Sequence, residues 1–330
     1  MSSDAVFNRL TSLLPVQDKE LYALYEKALR TFWTHDEVDL SLDVVQWNEQ
    51  LSKDERFFLA HVLGFFVQRD QLVNINLSDR FIRDIDGIPD WYRKYARLFY
   101  NAQVMIEDIH TLSYETMINE FMTDPRDNAH FKNSIANIPC IARKAEWAAC
   151  YINDQESEFP LRLIAFAILE GIFFSGSFCS IFWIEQKNLL RGLTHYNKLI
   201  QRDENLHYEF ALTLYRKLRD DPSVPFQVDS SRIVDMVTKA VDIETEFINY
   251  SIPCAMIGMN VDLMTQYIKF VADQLFKDIQ LPTLYNVSNP FSFMVALGVV
   301  DRENFFEVRP SVYSKPILAE TQYDSDASDF

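Results

Sequence analysis

The sequence predicts an all-α protein, a bundle of long helices around one large apolar core. Three observations carry that reading. Glycine is scarce, at 7 of 330 residues, so the tight turns of a β-sandwich or barrel have little to build on. The chain is 48% hydrophobic, rich in Leu, Phe, Ile and Ala, enough to fill a large interior. Long segments repeat apolar residues every three or four positions, the period of a helix face. Length alone permits one large domain or two.

An amphipathic stretch from about 18 to 34 opens the chain and leads into FWTHDEVDLSLD, where acidic and β-branched residues break the helical pattern. Ser52 and Asp54 then offer start signals for a long helix. The spacing predicts helices over roughly 52–84, 90–122, 128–153, 160–189, 193–220, 230–251 and 261–279. Punctuation separates them: DGIPD, TDP, EFP and DDPSVP. After Phe306 the helical period disappears, prolines enter, and one lysine stands against four acids from Ser311 on. The expected organisation is a helical domain over 1–306 and a flexible tail over 307–330.

Charge narrows the function classes. A formal net charge of −17 with no basic stripe opposes nucleic-acid binding. Cys140, Cys150, Cys179 and Cys254 form no CxxC pair and no signal-peptide run opens the chain, so a reducing, cytoplasmic setting is expected. Leu163 to Ile184 is long and apolar enough to span a bilayer, yet Glu170 sits in its middle. A carboxylate there suits the central helix of a bundle better than lipid, and no membrane span is expected.

Stepping by three and four residues places Tyr100, Gln103, Glu107, His110, Tyr114, Met117 and Phe121 on one helix face. Asn197, Ile200, Glu204, His207, Ala211, Leu214 and Leu218 form a second such line. Two ExxH elements therefore face inward. Asp70 lies on the stripe of Leu59, Leu63, Phe66, Val73 and Leu77, and Glu170 on that of Leu163, Phe166, Phe174, Phe178 and Ile181. A lone ExxH is weak, because Glu and His three apart also pair on helix surfaces. Four acids on apolar faces are stronger, since burying unpaired carboxylates is costly and no Lys or Arg lies on these stripes within a turn of them. Two divalent cations would balance the four charges. Two Glu-x-x-His helices plus one acid from each of two others is the pattern of ferritin-like dimetal carboxylate bundles.

Carboxylate-rich ligation with one imidazole per ion and no thiolate suits iron or manganese better than zinc or copper, although affinity alone does not exclude these. Tyr114 lies one turn beyond His110 on the same face, and Phe174, Phe178 and Ile200, a turn from other ligands, are apolar. By itself Tyr114 reads as a core tyrosine with a hydrogen-bonded hydroxyl. Beside a dimetal site in an apolar pocket it reads as a phenol that the metals oxidise.

At these residues the sequence resembles the small, radical-generating subunit of class Ia ribonucleotide reductase, in its eukaryotic-type branch. The likeness covers nearly the whole chain, through FWTHDEVDLSLD, MIEDIHTLSY, AILEGIFFSGSF, LIQRDENLHYEF, IGMNVDLMTQYIKFVADQL, NPFSFM and NFFE. It implies that Asp70, Glu107 and His110 hold one iron and Glu170, Glu204 and His207 the other, with Glu107 and Glu204 as bridges. An Mn/Fe pair is the alternative. It implies that O2 activates the metals and Tyr114 holds the stable radical. Trp33, Asp203 and His110 match the family's path from metal site to surface, and Tyr313 its next relay. The acidic end closing on Phe330 resembles the peptide that docks the large subunit, where ribonucleoside diphosphates would be reduced for deoxyribonucleotide synthesis and DNA replication. A homodimer is implied as well. Around Asp70 the chain reads QRDQLVNIN, where the family more often has a small residue before the Asp, Gly after it, and Glu in place of Ile75.

Two rival readings remain at this point: a ferritin-like oxidase acting on its own small substrate, and an iron-storage or scaffold protein. The oxidase would turn over without a partner; storage fits poorly with Tyr114 and a long tail.

Overall fold

Ser52 opens the first long helix through a capping box, its Oγ accepting from the Glu55 backbone N–H while the Glu55 carboxylate accepts from the Ser52 N–H. In the computed structural model, which describes residues 12–154, 158–224, 228–252 and 259–294, the elements in order are α1 (Lys19–Arg30), α2 (Ser41–Glu49), α3 (Lys53–Ile75), α4 (Asp90–Phe121), α5 (Pro125–Lys132), α6 (Ser134–Asn137), α7 (Pro139–Asn153), α8 (Phe159–Gln186), α9 (Arg191–Asp220), α10 (Ser230–Ser251) and α11 (Val261–Asp278). Among the described residues there is no β-strand. α3 pairs with α4 and α8 with α9; α1 covers α4 and α9, and α10 and α11 flank α8. The all-α bundle expected from composition and periodicity is the fold observed.

Three expectations are corrected. The helix expected over 52–84 is α-helical only to Ile75 and continues through a π-helical stretch, Asn76–Phe81, before Ile82–Asp84 and a 3-10 turn at Ile85–Gly87. The helix expected over 128–153 is three pieces. Pro125 starts α5 behind an Asp124 cap, and Pro139, which cannot donate within a helix interior, forces a restart as the first residue of α7. The stretch read as a break before Ser52 contains α2. There the Asp39 carboxylate accepts from Ser41 N–H and Oγ–H, and buried Asp43 accepts from the Gly192 and Leu193 N–H groups at the start of α9. The domain boundary expected at 306/307 lies outside the described residues.

α8 is buried almost all round, and its most apolar 18-residue window is 94% buried within the fold. It qualifies as a membrane span by length and composition alone; its packing is that of a core helix. α10 approaches it closely at Gly176, where an added Cβ would lie 2.7 Å from Glu244 Oε1 and 2.8 Å from Ile248 Cδ1. Glu244 in turn pairs with Lys144 of α7 at 2.5 Å, both fully buried, with the ammonium 3.7 Å from the ring centroids of Phe65 and Phe247.

Candidate metal centre

The four inward stripes meet as their spacing requires: every residue on them is buried. Asp70 comes from α3, Glu107 and His110 from α4, Glu170 from α8, and Glu204 and His207 from α9. Their ligand atoms form two overlapping sets, Asp70–Glu107–His110 and Glu107–Glu170–Glu204–His207, each with one atom per residue within 4.8 Å of the others. Glu107 belongs to both. His110 Nδ1 lies 3.4 Å from Glu107 Oε2 and 3.2 Å from Glu204 Oε1; His207 Nδ1 lies 2.9 Å from Glu204 Oε2 and 3.1 Å from Glu107 Oε1. Both imidazoles thus turn Nδ1 toward shared carboxylates. Asp70 Oδ2, Glu107 Oε2, Glu170 Oε1 and His110 Nδ1 are buried without a hydrogen-bond partner. Orphaned lone pairs converging from three helices fit a pair of hard cations ligated by carboxylate and imidazole.

The electrostatics agree. Burial pushes the Asp70 carboxyl up to about 8, against the attraction of Arg69, and burial with the charges of Glu204 and Glu107 raises Glu170 well above the carboxylate range despite Arg69. Burial works against Glu204 too, but Arg69 and the two imidazoles hold it well below its ordinary value. Burial would lower His207, yet Glu107 and Glu204 raise it to about 9, and Asp203, Glu107 and Glu204 likewise raise His110.

One residue in this centre is absent from the sequence-based site. Arg69, off the stripe by one position, curls its guanidinium into the cluster. Nη1 lies 3.0 Å from Asp70 Oδ1, 3.4 Å from Glu204 Oε1 and 3.7 Å from Glu107 Oε2, and Nη2 donates to Glu170. No Lys or Arg lies on the stripes themselves, as read from the sequence, but positive charge reaches the acids from the position beside one of them.

Tyr114 is 1% exposed, and its hydroxyl has no hydrogen-bond partner. Burial, with the charges of Asp70 and Glu204, pushes its pKa well above 10 and keeps the phenol neutral. Its ring stacks on Phe66 at 4.6 Å between centroids, and Phe66 meets Phe174 at 5.3 Å and Phe178 at 5.4 Å. Phe66 is thus the direct ring contact, though the sequence pointed to Phe174, Phe178 and Ile200; Ile200 is buried one turn before Glu204. On the other side of the cluster Trp33 Nε1 donates to Asp203 Oδ2 at 2.6 Å, and the same oxygen lies 3.3 Å from His110 Nε2. Arg202 holds Asp203 Oδ1 at 3.2 Å and the Thr31 carbonyl at 2.6 Å. Tyr313 and Phe330 lie outside the described residues. A cleft of about 180 Å³ between α8, α9 and α11 opens onto Glu170 and Glu204, with Tyr208 and Tyr267 on its walls.

A helical bundle with acids and ExxH imidazoles from four helices defines the class: a ferritin-like protein with a carboxylate–histidine metal centre. The comparisons with known proteins make this specific. Residues 10–290 match the family ribonucleotide reductase, small chain. The ribonucleoside-diphosphate reductase small chain of Neurospora crassa is 42% identical over 315 residues, 96% of this chain and 74% of that protein. That of Spisula solidissima is 43% identical over 92% of this chain and 76% of its own length. The Rnr4 homodimer structure from Saccharomyces cerevisiae superposes with a TM-score of 0.74 at 29% identity, covering 88% of this chain and 89% of that one. The chain belongs to the ribonucleotide reductase small-chain family, and its activity is that of a ribonucleoside-diphosphate reductase subunit.

Proposed function

We propose that this chain is the radical-generating subunit of its reductase: a di-iron centre on Asp70, Glu107, His110, Glu170, Glu204 and His207 serves to make a stable radical at Tyr114. The observation that carries the reading is the juxtaposition of a dry, unpartnered phenol with a cluster of orphaned carboxylate and imidazole ligands. Two bound irons and O2 would supply the oxidising equivalent; an Mn/Fe pair is the alternative occupant. The rest is the work of this chain's side chains. The phenol stays protonated because burial and nearby acids disfavour phenolate, so its oxidation requires the proton to leave with the electron. Phe66, with Phe174 and Phe178 behind it, excludes water and hydrogen donors from the ring, which favours a long-lived phenoxyl. Trp33, Asp203 and His110 form a hydrogen-bonded line for electron transfer into and out of the centre.

The oxidising equivalent then passes through Trp33 and Tyr313 to a large subunit that binds and reduces ribonucleoside diphosphates, with the tail ending in Phe330 as the docking peptide. The chain functions as a homodimer, like the Rnr4 homodimer to which its fold is similar, and works in the cytoplasm. The test is to load metal-free protein with Fe(II), admit O2 and record electron paramagnetic resonance spectra of wild type and Tyr114→Phe. A tyrosyl signal in wild type that vanishes in the variant is expected. Two bound irons without any tyrosyl signal in wild type would refute the assignment.

A further inference from the structure

The guanidinium of Arg69 touches all four carboxylates of the metal centre, and this contact has the geometry of an occupant. Nη1 reaches Asp70, Glu204 and Glu107, Nη2 donates to Glu170, and the group's Cζ lies 3.7 Å from the Phe174 ring centroid. Arg69 is 2% exposed, so this contact is shielded from bulk solvent. We propose that Arg69 is a resident counter-cation that competes with metal ions for the four acids, so that the chain folds without metal and loads two ions only where the guanidinium gives way. The inference rests on the metal reading given above.

Charge and space both support it. Four ionised carboxylates are balanced by two divalent ions; with a permanently charged guanidinium among them the second ion meets a net charge of about −1 in place of −2, and loses about half of its attraction. Moving the guanidinium aside is also opposed. The neighbouring cavity that Arg69 lines is about 10 Å³, too small for the group, and is walled by Phe65, Leu72, Ile135, Ile141 and Phe173 with the Lys144 side chain. An arginine pushed that way would leave four acids for an apolar wall and a like charge. The opposite side, toward the cleft at Glu170 and Glu204, is where an ion enters. Arg69 also does for the metal-free fold what metal would do: it prevents four buried carboxylates from facing one another unpaired.

The experiment titrates metal-free, full-length wild type, Arg69→Gln and Arg69→Lys with Mn(II) under anaerobic conditions, counting free ions by their electron paramagnetic resonance signal. Thermal melting of each metal-free protein runs in parallel. Expected are a second Mn(II) bound about tenfold or more tightly by Arg69→Gln than by wild type, Arg69→Lys close to wild type because it keeps the charge, and a lower melting temperature for metal-free Arg69→Gln. Two ions bound equally tightly by wild type and Arg69→Gln overturn the competition while leaving the metal centre intact. A metal-free Arg69→Gln that melts at or above wild type overturns the counter-cation role. Should Arg69→Gln fail to fold, wild type decides alone: two Mn(II) bound with equal, sub-micromolar constants overturn the proposal. No Mn(II) uptake by any of the three proteins overturns the metal reading and the proposal with it.

Discussion

Replacing Asp203 by Asn should weaken metal binding although Asp203 is not among the six proposed ligands. Its Oδ2 accepts from Trp33 Nε1 at 2.6 Å and faces His110 Nε2 at 3.3 Å, while Oδ1 is held by Arg202 at 3.2 Å. A proton kept on Nε2 by that carboxylate leaves Nδ1 as the lone-pair nitrogen, and Nδ1 is the atom turned toward Glu107 and Glu204. Asparagine has one carbonyl oxygen for three donors, so its amide must point N–H groups at Trp33 and His110 or at Arg202. Loss of such an outer partner typically costs about 10–100-fold in metal affinity, or roughly 1.4–2.8 kcal/mol. The 3.3 Å separation at His110 argues for the lower half of that range. Mn(II) titration of Asp203→Asn beside Trp33→Phe separates orientation from electron transfer. Trp33→Phe leaves the His110 contact in place and should bind metal like wild type while failing to pass electrons. Unchanged affinity in Asp203→Asn, or an equal loss in Trp33→Phe, would refute the orientation argument.

Two further outcomes follow from other parts of the fold. Lys144→Met leaves Glu244 in the core without its counter-charge and should cost about 3–5 kcal/mol in urea denaturation, whereas Lys144→Met with Glu244→Leu should recover most of it; a double variant no more stable than the single would contradict this. Burial works against Glu55, but Lys187 and the Ser52 hydroxyl and N–H hold its carboxyl below the ordinary range. A depressed carboxylate stabilises the fold above its unfolded pKa and loses that contribution as pH falls through the folded value. The gap in urea midpoint between wild type and Glu55→Gln should therefore be widest near neutral pH and shrink by about pH 3. A gap that grows on acidification would reverse the sign.

The meeting of these acids and imidazoles in one buried cluster was legible because helix geometry is local. Residues spaced by three and four must share a face, so four apolar stripes each carrying acid had to bring those acids into the interior, whatever the connections between helices. Arg69 was not legible for the same reason. It sits one position, about 100°, from the Asp70 stripe, and only the reach of its long side chain brings the guanidinium back to the face its backbone avoids. Phe66 was visible as a stripe residue, but that its ring and not Ile200 stacks on Tyr114 depends on how α3 and α4 cross. The Lys144–Glu244 pair joins α7 and α10, two faces that spacing cannot relate. Pro139 in the interior of the helix expected over 128–153 is a plain restart signal that the apolar periodicity overrode.

The centre is hard to explain as a device for stability. Buried ion networks of this kind are commonly no more stable than apolar side chains of the same volume, and here the surroundings are Phe66, Phe174, Phe178, Leu63 and Ile200, into which leucine or phenylalanine would pack without desolvation cost. The network is also incompletely satisfied: four ligand atoms lack partners even with Arg69 in place. A core that keeps four acids, two imidazoles and a guanidinium at the crossing of its four longest helices spends stability on chemistry. The same reasoning assigns the apolar character of α8 to the site. A helix buried almost all round, whose one carboxylate meets only the cluster and the cleft beside it, gives that acid little water to ionise against; Glu170 stays well above the carboxylate range even beside Arg69, so the guanidinium alone does not hold it charged.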